Sequence, residues 1–450
     1  MVSDGARRVP GQAMKFQVDR DVLADAVGWV SRALPARPVI PVLSGLLLQA
    51  AGDGLTLSCF DYEVSARVEV DAEVAEPGMI LVPGRLLAEI TRSLPSLPVE
   101  FADDPDGVSL TCGTASFTLV TLPVEDYPDL PELPHTAGTV DGGALAAAVS
   151  QVAPAASRDD TLPLLTGVNI EVDGDTMTLA ATDRYRLAVR ELPWRPSRPA
   201  RGGEFLVPAR TLADAARTMA PGLPVTIRLR SGGGPVTATA MYQRNKTVPE
   251  AASQPAGGGA APRGADAMIG FESGGRRLTT RLIAGEYIKY RSRFPADLAC
   301  RADMPAGPFT EAVRRVSLVA ERGSAVRLSF GAGQVTIEAE TQGRARAREA
   351  VRAEFRGPEP VIAFSPHFLL DGIVAAGLTA AVPRPSEEAA EPAGPGAGPL
   401  GPEPAAPQPG ASVRLEFNTA TKPAVITGVH AGQDARDFRY LVVPLRAAGR

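Results

Sequence analysis

Apolar residues recur at i, i+4 and i+7 in three separate stretches of the chain: Leu23, Val27 and Val30; Leu145, Val149 and Val152; Phe309, Val313 and Val316. That spacing puts each set on one face of a helix and predicts helices over 23–35, 145–157 and 309–321. After each helix the pattern changes to an alternating strand broken by a Gly-containing turn, in VLSGLLLQAAGDGLTLS, LLTGVNIEVDGDTMTLA and SAVRLSFGAGQVTIEAE. A period of two around such a turn predicts a β-hairpin. A second helix recurs in the order strand, proline, helix, in MILVPGRLLAEI (79–90), EFLVPARTLADA (204–215) and VIAFSPHFLLDGI (361–373). Pro83, Pro208 and Pro366 suit a helix's first turn, where a fixed φ and a missing N–H cost nothing. One unit of helix, strands, helix, strands is thus repeated three times. The predicted fold class is α+β: three tandem modules, each with two helices on one face of an antiparallel sheet.

The repeat starts divide the 450 residues into modules over 14–135, 136–296 and 297–450, each of ordinary domain size. The second module is lengthened by an insertion at about 244–266 and the third by one at about 383–412, rich in Pro, Ala, Gly and Glu. Both lack the apolar residues that offset ordering entropy and are read as disordered loops. Residues 1–13 read as a flexible N-terminal extension, either dispensable or a misassigned start ahead of Met14. The extension has no apolar run behind Arg7 and Arg8, and no other stretch approaches a membrane span. Cys59, Cys112 and Cys300 are odd in number and share no CxxC or metal-ligand spacing. Free, buried thiols in a reducing compartment are expected, with no disulfides, and the location is cytoplasmic.

Charge and chemistry narrow the function. A net charge of −5 argues against a protein that clamps tightly onto phosphates, so any nucleic-acid contact has to be local or loose. Walker, Rossmann, HExxH and nucleophile-elbow signatures are absent, and no metal or cofactor motif occurs. His135 falls in a Pro-rich linker, His367 and His430 in unrelated contexts, and the glycine runs at 232–234 and 257–259 in loops. Ser44 and Ser365 have no visible base, so a hydrolase reading has little support. The expectation is a binding protein, not an enzyme, with a large repeated surface.

The segments ARPVIPVLSGLLLQ (36–49), LTGVNIEV (165–172), ATDRYRLAVREL (181–192), TRLIAGEYIKYRSRFP (280–295) and RYLVVPLR (439–446) together resemble the bacterial DNA polymerase III beta subunits, the sliding clamps. The resemblance runs from Met14 through the rest of the chain apart from the two insertions. The Pro/Ala/Arg-rich composition looks like that of a high-GC actinobacterial member. It implies a head-to-tail homodimer whose six modules close a ring around duplex DNA without reading sequence, tethering the replicative DNA polymerase for processivity. It also implies a clamp loader that opens the ring, and clients that dock a short peptide between the second and third modules. Loose phosphate contact fits an encircled duplex that must slide.

Carried over residue by residue, the resemblance implies a client pocket from Leu165, Thr182, Tyr185, Arg186 and Leu187, with Phe368, Leu441, Val442, Val443, Pro444, Leu445 and Arg446. Leu187 and the tail aliphatics would form its floor, and Arg186 would orient the peptide. The resemblance puts Arg37 near the DNA, and the helix pattern adds Arg85, Arg92, Arg158, Arg210, Arg217, Arg314 and Arg315. Asp21, Asp25, Glu89, Asp159, Asp214, Glu311 and Asp371 on the same helices make that lining nearly neutral. Phe117, Leu119 and Leu318 match family contacts at the subunit interface, with Ser317 replacing a commonly apolar neighbour. Several pocket positions depart from the family pattern. Ile288 stands where the family, and the internal copy at Pro128, has proline; Arg293 stands where an aliphatic residue is usual. Gly323 and Ser365 replace larger or amide-bearing residues, and the tail ends Arg446-Ala447. The alternative reading is an accessory clamp paralogue whose altered pocket confers tolerance to a clamp-targeting inhibitor, as in antibiotic self-resistance.

Overall fold

A computed structural model describes residues 14–131, 133–197, 202–217, 219, 222–230, 267–321, 323–341, 343–380, 411–430 and 433–445. The extension 1–13, the insertion 244–266, Arg446, Ala447 and all but the end of the insertion 383–412 lie outside them. Ser412 already opens the strand Ser412–Phe417.

Among the described residues six helices recur in pairs: α1 (Arg20–Val30), α2 (Gly84–Ser93), α3 (Gly142–Val152), α4 (Ala209–Ala216), α5 (Ala306–Ser317) and α6 (Pro366–Ala380). All nine residues of the three periodic faces are buried, each at 2% exposure or less. Complete burial of one such side chain is worth about 1.5–3 kcal/mol, which is why the stripe dictates the helix. α1 starts three residues earlier than the stripe because the Asp19 carboxylate caps it, accepting from the N–H groups of Asp21 and Val22. Pro366 is the first residue of α6 as expected. Pro83 and Pro208 instead end the preceding strands, each the terminal strand of its sheet, where a missing donor is harmless.

The hairpins form where the alternation placed them, with Gly45–Ala51 against Gly54–Phe60, Gly167–Asp173 against Thr176–Thr182, and Val326–Gly331 against Gln334–Thr341. Each turn has two residues, and Gly52 (φ +59°) and Gly174 (φ +58°) sit in the left-handed region that such turns require. His135 opens the strand His135–Asp141 and does not lie in a linker. Cys59, Cys112 and Cys300 are free and buried, and burial pushes the Cys59 thiol up to about 12.

The repeats do not coincide with the packing units. One compact unit takes the chain up to Leu145, Trp194–Gly203 and Arg210–Ala284; the other takes Ala146–Pro193, Glu204–Ala209 and Gly285 onward. The first unit holds a five-stranded and a nine-stranded sheet, the second a nine-stranded and a four-stranded sheet. Each nine-stranded sheet runs across a repeat boundary. In the first unit Val64–Asp71 pairs antiparallel with Arg276–Arg281 of the second repeat, with Leu278 opposite Ala66. In the second unit Arg186–Pro193 pairs antiparallel with Gln433–Val442 of the third, with Leu187 opposite Leu441. Two corresponding strands end their sheets: Ala115–Leu119 in the first unit and Ala345–Arg352 in the second.

Within the first unit α1 packs on α2 and on the strands Gly54–Phe60 and Val64–Asp71. Within the second, α5 packs on α6, and α6 lies on the strands Ala424–His430 and Gln433–Val442. The approach of α6 is close: a Cβ built on Gly372 would meet the Tyr440 ring at 2.6 Å. The Tyr440 hydroxyl donates to the Phe368 carbonyl at 2.9 Å. Gln151 of α3 donates to the Ala375 carbonyl of α6 at 2.7 Å.

Candidate functional site

A cleft of about 860 Å³ opens in the second unit, lined by Thr161–Leu165, Thr182, Arg184, Arg186, Leu187, Ile288, Ser292, Arg293, Pro423, Leu441 and Val443. Its floor follows from strand geometry. Leu187 and Leu441 are cross-strand partners and point to the same face of the sheet, as does Val443 two residues on. The 3₁₀ turn Pro163–Thr166 brings Leu165 to one wall. The tail is fixed where it leaves the sheet, since the Val443 N–H donates to the Tyr185 carbonyl and the Leu445 N–H to the Ala363 carbonyl, both at 2.8 Å.

Of the residues anticipated for a pocket, the structure brings Leu165, Thr182, Arg186, Leu187, Ile288, Arg293, Leu441 and Val443 together around the cleft. Val442 does not reach it: one position out of phase, it is fully buried on the opposite face. Pro444 and Leu445 continue past the lining, and Arg446 lies outside the described residues. Tyr185 is 54% exposed and stacks on Phe368 at 6.1 Å between ring centres, beside the cleft and not in its wall. Thr161, Leu162, Pro163, Leu164, Arg184, Ser292 and Pro423 were missed. The two leucines and Arg184 sit within or next to quoted segments, whereas Pro423 arrives from a turn between strands of the third repeat and gives no sequence signal.

Arg186 borders the cleft but is not free to orient a ligand. Its partner Val442 shows that it points to the helix side of the sheet. There its Nε donates to Asp183 at 2.9 Å, its two terminal nitrogens donate to Asp371 of α6 and the Pro154 carbonyl, and it lies 4.6 Å from the Phe368 ring centre. Burial alone pulls the Arg186 pKa down, but Tyr440, Asp371 and Asp183 outweigh it and hold the guanidinium above its ordinary value. Arg186 thus fastens the second repeat to the third behind the cleft floor. The turn before it is built by Asp183, whose carboxylate accepts from the Tyr185 and Arg186 N–H groups at 3.0 and 3.1 Å. That turn forces Arg184 to φ +82°, and the first repeat makes the same turn with Asp61 and Tyr62 at φ +71°.

Ser365 does have a basic neighbour, with its Oγ 2.9 Å from His367 Nδ1. The pair sits at the start of α6, and Asp371 is engaged by Arg186, so the contact reads as local helix-start bonding. Burial, then Arg186, pushes the His367 pKa down. Ser44 donates to the Pro41 carbonyl at 2.7 Å. Gly323 adopts φ +87° and does not line the cleft. The described residues contain no cluster of His, Cys, Asp or Glu suited to a metal, and no helix among them is long and apolar enough to cross a membrane.

All eight candidate DNA-facing arginines are exposed. In the first unit Arg37, Arg92 and Arg210 carry no ion pair among the described residues, Arg85 donates to the Leu34 and Pro35 carbonyls, and Arg217 pairs with Asp214. In the second unit Arg158 has no ion pair among the described residues, Arg314 pairs with Glu311 at 2.7 Å, and Arg315 grips Glu349 through two bonds of 2.6 and 3.0 Å. Arg315 therefore leans toward the terminal strand Ala345–Arg352. Of the interface candidates, Leu318 is 85% exposed and Phe117 36% exposed. Leu119 is a correction: it is 2% exposed, packed into its own module, and the apolar group presented next to it is Val120 at 71%.

Comparison with known proteins gives matches along the chain. Residues 14–131, 139–289 and 291–378 match the N-terminal, central and C-terminal domain models of the DNA polymerase III beta subunit. The chain is 45% identical over 438 residues to a beta sliding clamp of Streptomyces coelicolor, covering 97% of this chain and 100% of that one. It is 42% identical over 360 residues to the beta sliding clamp homolog GriR of Streptomyces muensis, covering 80% and 88% respectively. A crystal structure of the sliding clamp of Pseudomonas aeruginosa bound to griselimycin shares the fold, with a TM-score of 0.74 at 23% identity over 97% of this chain and 100% of that one.

Proposed function

The chain belongs to the bacterial DNA polymerase III beta subunit family, the beta sliding clamps, and from that premise we propose that it closes as a head-to-tail homodimer around duplex DNA and docks client peptides in the cleft floored by Leu187 and Leu441. The carrying observation is the way the sheets join. At both repeat boundaries a strand of one repeat, Val64–Asp71 or Arg186–Pro193, pairs with a strand of the next, Arg276–Arg281 or Gln433–Val442. The two corresponding strands left at sheet ends are Ala345–Arg352 and Ala115–Leu119. Pairing them between two copies repeats the internal joint and satisfies both edges. Phe117, Val120 and Leu318 supply exposed apolar surface for that contact.

The encircled duplex meets eight exposed arginines, of which Arg217, Arg314 and Arg315 are ion-paired with acids, giving the weak, sequence-independent contact that a sliding ring needs. The ring is loaded by a clamp loader, works in the cytoplasm without a catalytic step of its own, and presents the cleft to the DNA polymerase III catalytic subunit and to other proteins with a clamp-binding motif. Light scattering is expected to give twice the 46.9 kDa chain mass. The loaded protein is expected to stay on nicked circular DNA and to be lost when the circle is cut. A monomer, or equal retention on linear DNA, would sink the reading.

One observation favours a second, narrower role. Ile288 and Arg293, two of the departures from the family pattern, both line the cleft, and Arg293 puts a charge where an aliphatic contact is usual. A pocket changed in this way is suited to reject a compact inhibitor such as griselimycin while admitting extended clients, as an accessory clamp would. Griselimycin is then expected to bind this protein more weakly than an ordinary clamp; equal affinity excludes the role.

A further inference from the structure

Strand phase separates two faces in the nine-stranded sheet of the first unit. Arg276 points to the helix side, where it pairs with Asp25 of α1 and lies 5.7 Å from the Trp29 ring centre. Arg277, one position on, points the other way. The adjacent strands Pro224–Arg230, Met268–Ser273, Arg276–Arg281 and Val64–Asp71 bring five half-buried arginines to that far face: Arg228, Arg230, Arg277, Arg281 and Arg67. Arg67 and Arg277 are directly opposite each other, a repulsive placement offset by Glu69, which pairs with both, and by Glu272, which pairs with Arg277 and Arg228. Glu63 and Asp71 lie beyond these two acids at the ends of their strand. Two guanidinium nitrogens stay unmet: Arg67 Nε and Arg230 Nε are shielded from solvent without a hydrogen-bond partner among the described residues. Arg230 has no acid there either, its Nη2 resting 3.1 Å from Met268 Sδ. In the row between them the Ser65 and Thr279 hydroxyls have no partner among the described residues, and Gly270 bears no side chain. Shielded donors without acceptors are costly and mark a place where an acceptor from outside the chain belongs.

We infer that this face binds the phosphate backbone of single-stranded nucleic acid. Arg67 and Arg230 stand three strands apart, about 14 Å, which no single oxyanion spans, so the ligand has to present a row of them. A chain laid across the four strands passes Arg230, the open place at Gly270 and Arg67 in turn. A bare chain of inorganic phosphates offers the same oxyanions, but the face also ends in an aromatic group. Tyr62 is 46% exposed, its ring lies 5.5 Å from that of Phe60, the cross-strand partner of Ser65, and its carbonyl accepts from Arg281 Nε at 2.7 Å. A base can stack there beside the arginines that hold its backbone. The site lies on the opposite side of the sheet from α1 and uses none of the arginines assigned to the encircled duplex, so it adds a second nucleic-acid surface to the protein.

Fluorescein-labelled oligothymidylate of about 12 nucleotides, titrated with the full-length protein at several salt concentrations, tests this by anisotropy. Each phosphate contact on a single strand contributes about 0.7 to the slope of log affinity against log salt, so Arg67→Gln with Arg230→Gln is expected to flatten that slope by about 1.4 and to weaken binding about tenfold at low salt. Arg230 gives up no ion pair and Glu69 keeps Arg277, so the double variant should fold, which thermal unfolding checks. Tyr62→Gly suits the left-handed backbone at φ +71°. It is expected to weaken oligothymidylate about tenfold while leaving the binding of labelled inorganic polyphosphate unchanged. No binding of oligothymidylate at low salt, or an undiminished slope in the double variant, overturns the site. An unchanged oligothymidylate affinity in Tyr62→Gly makes the ligand a bare phosphate chain and overturns the nucleic-acid assignment.

Discussion

Asp303 shows how single residues hold this molecule together. Its carboxylate takes two bonds from Arg414, at 2.7 and 3.1 Å, and two from Arg301, at 2.9 and 3.3 Å, while Arg414 is only 3% exposed. Burial alone would raise the Asp303 pKa, but the two arginines outweigh it and hold the carboxyl below its ordinary value. A folded-state pKa below the unfolded one contributes stability above the unfolded value, and that contribution is lost as pH falls through the folded value. Asp303→Asn removes the negative charge that Asp303 presents to the buried Arg414 and is expected to cost about 3 kcal/mol near neutral pH. Urea unfolding at pH 7 and at about pH 3 checks the sign: the gap between parent and variant should narrow in acid. A gap that stays constant would show that the pair does not set the acid limb.

At the scale of elements, the meeting of α6 with the strand Gln433–Val442 positions the cleft floor. Alanine is a better helix former than glycine by about 1 kcal/mol, so an exposed Gly372→Ala would stabilise. Here the added Cβ lands 2.6 Å from the Tyr440 ring, and the ring is locked by its hydroxyl bond to Phe368. The substitution is therefore expected to lower stability by about 1–3 kcal/mol through overpacking, and a melting-temperature rise would refute the close-approach account. Helices and hairpins were legible because their cause is local. The stripe Leu23, Val27, Val30 and the Gly52 and Gly174 turns act within a few residues. The pairing of Arg276–Arg281 with Val64–Asp71 was not legible, because its register is decided by surfaces brought together from more than two hundred residues apart. Leu119 was misassigned for a related reason: alternation shows that a strand has two faces and leaves open which one meets a partner.

For the whole molecule, the same strand-to-strand joint is used twice inside the chain, and its two remaining halves define how copies would join. The end strand Ala345–Arg352 carries Arg346, Arg348 and Arg352, so positive charge placed on the opposing edge should repel it. Phe117→Arg with Leu318→Arg is expected to shift the mass in light scattering from dimer to monomer while leaving the thermal unfolding of each module intact. A variant that remains dimeric would place the joint elsewhere. The cleft was half legible at this scale. Leu187 and Leu441 came from resemblance, but the commitment of Arg186 to Asp371 and Pro154 depends on which charges fold next to one another.

The three cysteines offer one more consequence. Cys59, Cys112 and Cys300 are each at most 1% exposed, and the Cys59 thiol is held almost wholly protonated at neutral pH. The native protein is thus nearly silent toward maleimides and other alkylating dyes. A new cysteine placed at Val120 or Leu318 would be the dominant reactive thiol in a wild-type background. Fluorophore pairs or crosslinkers can then report opening and closing of the joint in real time, without stripping the chain of its own sulfur.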